Sequence, residues 1–365
     1  MSRFVRLCEI SSPTGEEGPV TAAVKAELRS FGFEVSEDDA AVPAGAGAGN
    51  LLMRIEGEKP GYVMFCAHLD TVPHHGPIKV VLDEEGVYRS AGETILGADN
   101  KAAVAVLMEL ASRYRSARPP IGIELLFTVA EEQGLHGAAN FDLTQLKAET
   151  GYVLDHATDL GEVITAAPSH HRITAVFSGV EAHSGLQPEL GRSAIAAAAR
   201  AISEMELGRL DAETTANIGT IEGGTSGNIV PGSCRLLGEA RSVDHDRVVE
   251  VIASMSDSMI TAASELGCEV DIVTEELFRG YRIPEESRAL SVAEAAFRER
   301  GYEPKRVSTG GGSDAHIFIA GGMDALLLAN GTYDNHTHDE SVPQANLGEM
   351  LEICEDILRE AAARC

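Results

Sequence analysis

Residues 121–132 read IGIELLFTVAEE, a nearly continuous apolar run that ends in two glutamates. Such a run predicts a strand at 121–129 that is covered on both faces, as in a parallel sheet. Upstream, YVMFCA at 62–67 predicts a second strand, and the alanine-rich stretch 101–114 predicts the helix between the two. The short run YVLD at 152–155 predicts another strand. Because these strands alternate with helical stretches, the sequence favours an α/β domain.

The pattern changes near residue 167, where strands with one wet face begin. Four such strands are predicted, at 170–178, 215–221, 233–242 and 268–275, together with two helices at 192–205 and 246–266. After residue 284 the first pattern returns, with a helix, a short apolar strand and the final helix at 285–300, 325–328 and 344–363. We therefore predict one α/β domain, residues 1–166 plus 278–365, interrupted by a small α+β domain of residues 167–277.

Composition limits the class of protein. A chain of 365 residues favours about two domains. The net charge of −28 disfavours nucleic acid and anionic membranes as partners. No apolar stretch has the length of a membrane span, and the N-terminus does not resemble a signal peptide. The six cysteines form no CxxC pair, which indicates reduced thiols and a cytoplasmic protein.

Carboxylate and imidazole side chains stand at the ends of the predicted α/β strands and at one helix start. They are His68, Asp70, Asp99, Glu131, Glu132, Asp155 and His336. Taken singly, each has an ordinary alternative: a solvated turn for His68, a helix N-cap for Asp99, and an acidic surface turn for Glu131 and Glu132. Taken together they form a ligand set rich in oxygen and poor in histidine. That mixture suits a hydrolase with two metal ions better than a structural zinc site, which favours cysteine.

The order of these motifs is specific. HLD at 68–70, GADNK at 97–101, AEE at 130–132, a lone Asp155 and then H-x-x-x-E at 336–340 resemble the M20 family of metallopeptidases. The runs SGVEAHSG, TTANIGTIEGGTSGNIVP and GEARS, which begin at 178, 214 and 238, are similar to the peptidase T and peptidase-T-like branch. The likeness covers nearly the whole chain. It implies a catalytic domain of the phosphorylase/hydrolase-like zinc exopeptidase fold, with the insertion as a lid and dimerisation domain built from a four-stranded sheet and two helices.

The resemblance also implies a role for each residue of the set. His68 and Asp155 hold one zinc ion, Glu132 and His336 hold the other, and Asp99 bridges the two. Asp70 orients His68, Glu131 is the general base, and the peptide bond from Asp99 to Asn100 is similar to one that is cis in the family. His338 is an alternative to His336, but only His336 stands four residues before a glutamate. The same ligands also accept cobalt or manganese.

The implied activity is hydrolysis of an amide bond in a short peptide by a metal-activated bridging water, with a tripeptide aminopeptidase as the leading interpretation. His183, reaching across from a second subunit of a homodimer, together with Asn228, Arg241 and Gly312, is implied to bind the substrate. A satisfied loop histidine and a structural salt bridge stay open for His183 and Arg241. His316 stands where the family pattern has Asn, so its role is in doubt. The other histidines, at 74, 75, 136, 156, 170, 171 and 245, have no motif around them and are interpreted as surface or core residues.

Two alternatives stay open. A carboxypeptidase, an N-acyl-amino-acid deacylase or another amidohydrolase of the M20 type shares the same five ligands. A non-catalytic binding protein on this fold predicts a broken base or ligand, whereas Glu131 and all five ligand positions are intact in this sequence.

Overall fold

The structure is a computed structural model that describes residues 2–365. These residues form ten α-helices: α1 Ser2–Cys8, α2 Gly18–Ser30, α3 Ala41–Ala44, α4 Ala98–Arg113, α5 His136–Ala139, α6 Ala194–Glu204, α7 His245–Glu265, α8 Arg288–Glu299, α9 Ala315–Ala320 and α10 Gln344–Ala363. They also form nineteen strands: β1 Val35–Glu37, β2 Leu51–Ile55, β3 Lys59–His68, β4 Val80–Leu82, β5 Val87–Ser90, β6 Ile121–Thr128, β7 Thr150–His156, β8 Glu162–Ala167, β9 Ser169–Ser178, β10 Ala182–His183, β11 Gly208–Arg209, β12 Thr214–Gly223, β13 Ile229–Val230, β14 Ser233–Ser242, β15 Glu269–Phe278, β16 Tyr281–Arg282, β17 Lys305–Ser308, β18 Asp324–Ala329 and β19 Ser341–Pro343.

The chain folds into two units. Unit 1 combines residues up to Thr165 with Ile283–Ser308 and Gly312–Cys365. Unit 2 is Ala166–Arg282 with Thr309–Gly311. Among residues 2–365, none of the helices combines the length and the apolar character that a membrane span requires.

Unit 1 is built around a mixed sheet in the order β1-β2-β6-β3-β7-β18-β8, and β17 also pairs with β8. The central strands β6, β3, β7 and β18 are mutually parallel, whereas β2 and β8 run antiparallel to their neighbours β6 and β18. All eight residues of β6 are buried, as its apolar run predicts. Because β3, β6 and β7 are parallel, their carboxyl ends meet at one edge of the sheet.

Helix α4 packs against β3 and β7 of the sheet. Its alanines and other small residues bring it close to the sheet, and residues 102–108 are all buried. The helix begins irregularly: Asp99 and Asn100 have non-helical φ/ψ values, and the peptide bond between them is cis, as the resemblance implies. The irregular start separates Asp99 from the regular hydrogen-bonded turns that follow.

Unit 2 is an antiparallel sheet in the order β11-β12-β14-β9-β15 with α6 and α7 packed on one face. The four long strands and the two helices are those predicted from the sequence. The two-residue strand β11 and the small β10–β13 ladder are additional. The mixed α/β architecture with an α+β insertion therefore confirms the predicted fold class.

Candidate metal centre

The first part of the site lies at the carboxyl end of β3. His68 is its last residue and is buried, and its Nδ1 is 3.1 Å from the backbone oxygen of Asp70. The Asp70 carboxylate is farther from that nitrogen, at 3.5 Å, and accepts hydrogen bonds from the Thr14 hydroxyl and from the backbone N–H groups of Glu131 and Glu132. Asp70 therefore ties the end of β3 to the turn that carries the two glutamates.

Asp99 lies between two imidazoles. Its Oδ1 is 3.0 Å from Nε2 of His68, and its Oδ2 is 3.1 Å from Nε2 of His336. Each oxygen of the carboxylate thus faces a different histidine, which is the arrangement that a carboxylate bridging two cations requires.

The loop that carries Asp99 is held by Glu340. One oxygen of the buried Glu340 carboxylate accepts the N–H groups of Leu96 and Gly97, at 2.7 and 2.8 Å, and the other accepts the N–H of Asp99 at 2.8 Å. The sequence motif H-x-x-x-E therefore contributes twice, because His336 contacts the carboxylate of Asp99 while Glu340 fixes its backbone. Sequence reasoning used Glu340 only as a motif position and missed this role.

The two glutamates follow β6 in a tight turn. Ala130 has a φ of 50°, in the left-handed region, and its neighbour Glu131 is buried. Oε1 of Glu132 is 3.1 Å from Nε2 of His336. The alternative of an exposed acidic turn is therefore wrong, since both carboxylates face the centre.

Asp155, near the end of β7, completes the set. Its Oδ1 is 3.3 Å from Nε2 of His68 and accepts a hydrogen bond from the Asn100 side-chain amide at 2.8 Å. Two groups of ligand atoms each lie within 4.8 Å of one another: those of His68, Glu131 and Asp155, and those of His68, Asp99 and Glu132. Asn100 is a contact that sequence reasoning missed, although it stands within the quoted GADNK motif.

The structure distinguishes the two late histidines. His336 adopts a φ of 66° and contacts both Asp99 and Glu132. The side chain of His338 is 67% exposed and faces Asp339 at 3.5 Å. His336, and not His338, is therefore the histidine that the fold brings to the centre.

The buried carboxylates at the centre require compensating positive charge. Burial, reinforced by the charge of Asp155, raises the pKa of Glu131 well above its ordinary value, and burial also raises the pKa of Glu132 and that of Asp155, the latter to about 7. Hydrogen bonds to Asp99 and Glu132 raise the pKa of His336 to about 10. Burial thus disfavours the charged form of several carboxylates at the centre unless positive charge lies beside them. Metal cations would supply that charge, so the donor set fits a pair of divalent ions with nitrogen and oxygen ligands.

A further buried carboxylate lies beside the end of β6. Asp314, just before α9, accepts a hydrogen bond from the Thr128 hydroxyl at 2.5 Å, and its other oxygen is buried without a hydrogen-bond partner. Burial raises the pKa of Asp314 to about 6. Sequence reasoning missed Asp314 and named only its neighbour Gly312, as a substrate-binding candidate. His316, two residues on, is buried and accepts the N–H of Ser313 at Nδ1.

The substrate-binding candidates lie partly in unit 2. His183 pairs with Ile229 in the β10–β13 ladder, and the backbone oxygen of Asn228, the residue before Ile229, accepts the N–H of Ser184. The Arg241 guanidinium binds Glu239 and donates to the backbone oxygen of Gly310 at 3.0 Å. Gly312 belongs to unit 1, just before the Ser313–Asp314 pair. Within unit 2, Arg241 thus makes the salt bridge that was one of its two interpretations.

Comparison with known proteins identifies the family. Residues 168–265 match the peptidase dimerisation domain of M20 enzymes, and residues 50–183 match the model of peptidase family M28. The uncharacterised protein YqjE of Bacillus subtilis is 36% identical over 364 residues, which is 99% of this chain and 98% of that protein.

Two solved structures resemble the whole chain. Aminopeptidase PepT from Bacillus cereus has a TM-score of 0.88 at 35% identity, covering 99% of this chain and 97% of its own. A tripeptidase from Staphylococcus aureus has a TM-score of 0.93 at 33% identity, covering 100% of this chain and 98% of its own. With the fold, the ordered motifs and these relatives in agreement, the chain belongs to the peptidase T-like branch of the M20 metallopeptidases, enzymes that hydrolyse peptide bonds.

Proposed function

We propose that this protein is a dimetal aminopeptidase that removes the N-terminal residue from tripeptides. The observation that carries the proposal is the convergence of His68, Asp99, Glu132, Asp155 and His336, with Asp99 placed between the two histidines. The similarity to an aminopeptidase PepT and to a tripeptidase over nearly their full lengths supports the choice of substrate.

Two zinc ions are the proposed cofactors. His68 and Asp155 would hold one ion, Glu132 and His336 the other, and Asp99 both, since its two oxygens face different histidines. Asp70 would fix the position of His68 through the backbone contact at Nδ1. When bound, such a pair of ions supplies a water of lowered pKa and polarises the carbonyl of the peptide bond.

Glu131 is the proposed general base. It is buried, and an oxygen of its carboxylate lies within 4.8 Å of ligand atoms of His68 and Asp155, so it is within reach of a water held at the centre. In this role Glu131 accepts a proton from the water that attacks the scissile carbonyl carbon. It then delivers that proton to the amine nitrogen as the C–N bond breaks.

Unit 2 provides the proposed dimer contact and part of the substrate site. Its match to a peptidase dimerisation domain supports a homodimer formed through the inserted domain, for which we retain the limits 167–277. His183, from the second subunit, is proposed to support the developing oxyanion, and Asn228, Arg241 and Gly312 to bind the peptide backbone or its terminal carboxylate.

The test is product analysis with a tripeptide of three different residues. Zinc-loaded enzyme should release the N-terminal residue and leave the dipeptide, while the N-acetylated tripeptide should resist. Release of the C-terminal residue would assign a carboxypeptidase instead, and cleavage of the acetyl group alone would assign a deacylase. As a matched control, Glu131→Gln should lower kcat about 10²–10⁴-fold and keep its metal content. Unchanged turnover in that variant would refute the role of Glu131.

A further inference from the structure

A row of side chains on one face of β9 changes character at its end. Ile173, Ala175 and Phe177 alternate along the strand, are fully buried and belong to the apolar core under α6 and α7. The same face continues to His171 and Ser169, which are also buried but polar. A buried polar side chain needs a partner to offset the loss of water, so this end of the face requires an explanation.

His171 faces a carboxylate across the sheet. It is the direct neighbour of Glu276 in the antiparallel β9–β15 pair, and its Nε2 is 3.4 Å from Oε2 of Glu276. That nitrogen is buried and makes no hydrogen bond. The two side chains are therefore close, but Nε2 of His171 has no hydrogen-bond partner.

A second histidine points at the same oxygen. His245 is the first residue of α7, and its Nε2 is 3.8 Å from Oε2 of Glu276. The two imidazole rings are tilted by 49° with centroids 5.8 Å apart, so they do not stack face to face. Ligand atoms of His171, His245 and Glu276 all lie within 4.8 Å of one another.

The orientation of the His245 imidazole is fixed by a contact with Ser169. Its Nδ1 is 3.2 Å from the Ser169 hydroxyl oxygen, which also accepts the N–H of Gly280 at 2.8 Å. With Nδ1–H donating to Ser169, the lone pair of Nε2 is directed toward Glu276. A histidine that donates its other ring N–H to a neighbouring oxygen is the usual arrangement of a metal ligand.

We propose that His171, His245 and Glu276 bind a zinc ion in unit 2, as a site additional to the catalytic pair. Two imidazoles and one carboxylate are a zinc donor set, and two ligands of one tetrahedral zinc ion stand about 3.3 Å apart, close to the observed 3.4 Å between His171 and Glu276. Glu276 is exposed and His245 half-buried, so an ion reaches the site from solvent and keeps water at its open position. The ion links β9, β15 and the start of α7.

The test measures zinc content in the full-length protein. Chelator-treated protein is dialysed against micromolar zinc at about pH 7.5, which is above the ordinary pKa of imidazole, and bound zinc per chain is determined by mass spectrometry. Glu276→Gln and His245→Gln should each bind one zinc ion per chain fewer than the wild type. His170→Gln is the matched control, because it removes the adjacent imidazole of β9 and should leave the zinc content unchanged.

Hydrogen exchange locates the ion independently of the catalytic centre. Added zinc should slow exchange at the start of α7 and at the carboxyl end of β15 in the wild type, but not in Glu276→Gln. His171 is buried, so replacing it would also remove packing contacts. The variants at the less buried His245 and Glu276 therefore decide the outcome. Equal zinc content in wild type, Glu276→Gln and His245→Gln overturns the proposal. So does a loss of one ion in His170→Gln, or zinc protection at α7 that persists in Glu276→Gln.

Discussion

Replacing Glu340 by glutamine should disturb the proposed metal centre through the backbone of the Asp99 loop, without removing a metal ligand. The two carboxylate oxygens of Glu340 accept three backbone N–H groups, those of Leu96, Gly97 and Asp99. A glutamine has one acceptor oxygen, so its NH₂ group must face at least one of these N–H groups. Because residue 340 is only 1% exposed, water cannot replace the lost bond. A buried donor left unsatisfied costs about 1–3 kcal/mol, and we expect that loss in the free energy of unfolding.

The activity should fall as well, since the third N–H belongs to Asp99. Loss of a partner that positions a metal ligand typically lowers metal affinity or activity about 10–100-fold. Urea unfolding and kcat/KM on a tripeptide measure the two effects, each with the metal-loaded protein. Glu286→Gln, which removes an exposed carboxylate, is the control and should shift stability by less than about 0.5 kcal/mol. If Glu340→Gln matched this control in both assays, the argument that the carboxylate holds the Asp99 loop would be refuted.

Three further predictions rest on other contacts. Gly348 is exposed in α10 with open space around a new Cβ, so Gly348→Ala should raise the free energy of unfolding by about 0.5–1 kcal/mol. The Cβ of Gly137→Ala would lie 1.9 Å from the oxygen of Val129, so this variant should lower the free energy of unfolding by about 1–3 kcal/mol. Urea unfolding measures both changes. Asp70→Asn should weaken zinc binding about 10–100-fold in a competitive chelator titration, because one acceptor oxygen cannot serve its three donors. Contact with the His170 imidazole at 2.9 Å, aided by Arg241, lowers the pKa of Glu239 to about 2 from 4.5. Its contribution to stability is therefore complete above about pH 4.5 and lost as the pH falls toward 2, so unfolding curves of wild type and Glu239→Gln should converge over that range.

Each of these has a result that contradicts it. Equal stability of the two alanine variants would show that the close approach at Gly137 relaxes without cost. Zinc binding by Asp70→Asn at wild-type strength would show that Asp70 does not support zinc binding. A constant stability difference between wild type and Glu239→Gln from pH 7 to pH 2 would show that the carboxylate is not held ionised by its neighbours.

The sequence predicted the elements that carry a strong period or an apolar run. The strand at 121–129, the strand at 233–242 and the final helix at 344–363 lie within a residue of β6, β14 and α10. Burial of their side chains follows a regular pattern, and that pattern is visible in the sequence as the spacing of apolar residues. The short elements α1, β4, β5 and α9 were not predicted, because a few residues carry too little of a period.

The candidate site was predicted by motif order rather than by local pattern. The structure brings together His68, Asp99, Glu132, Asp155 and His336, which are far apart in the chain, and their roles stay predictions until metal is measured. What the sequence could not supply is the network behind them. The bonds from Glu340 to the Asp99 loop depend on tertiary packing between segments that no local pattern relates. The cytoplasmic localisation likewise stays a prediction.

The division of unit 1 by the inserted unit has a consequence for biosynthesis. His68, Asp99, Glu132 and Asp155 are all translated before unit 2, whereas His336 and Glu340 follow it. A ribosome-bound chain that has emerged only as far as unit 2 lacks His336, the fifth proposed ligand, and Glu340, which accepts hydrogen bonds from the Asp99 loop. On the proposed ligand roles, a nascent chain therefore cannot cleave peptides before His336 and Glu340 have been translated and have folded against the earlier residues.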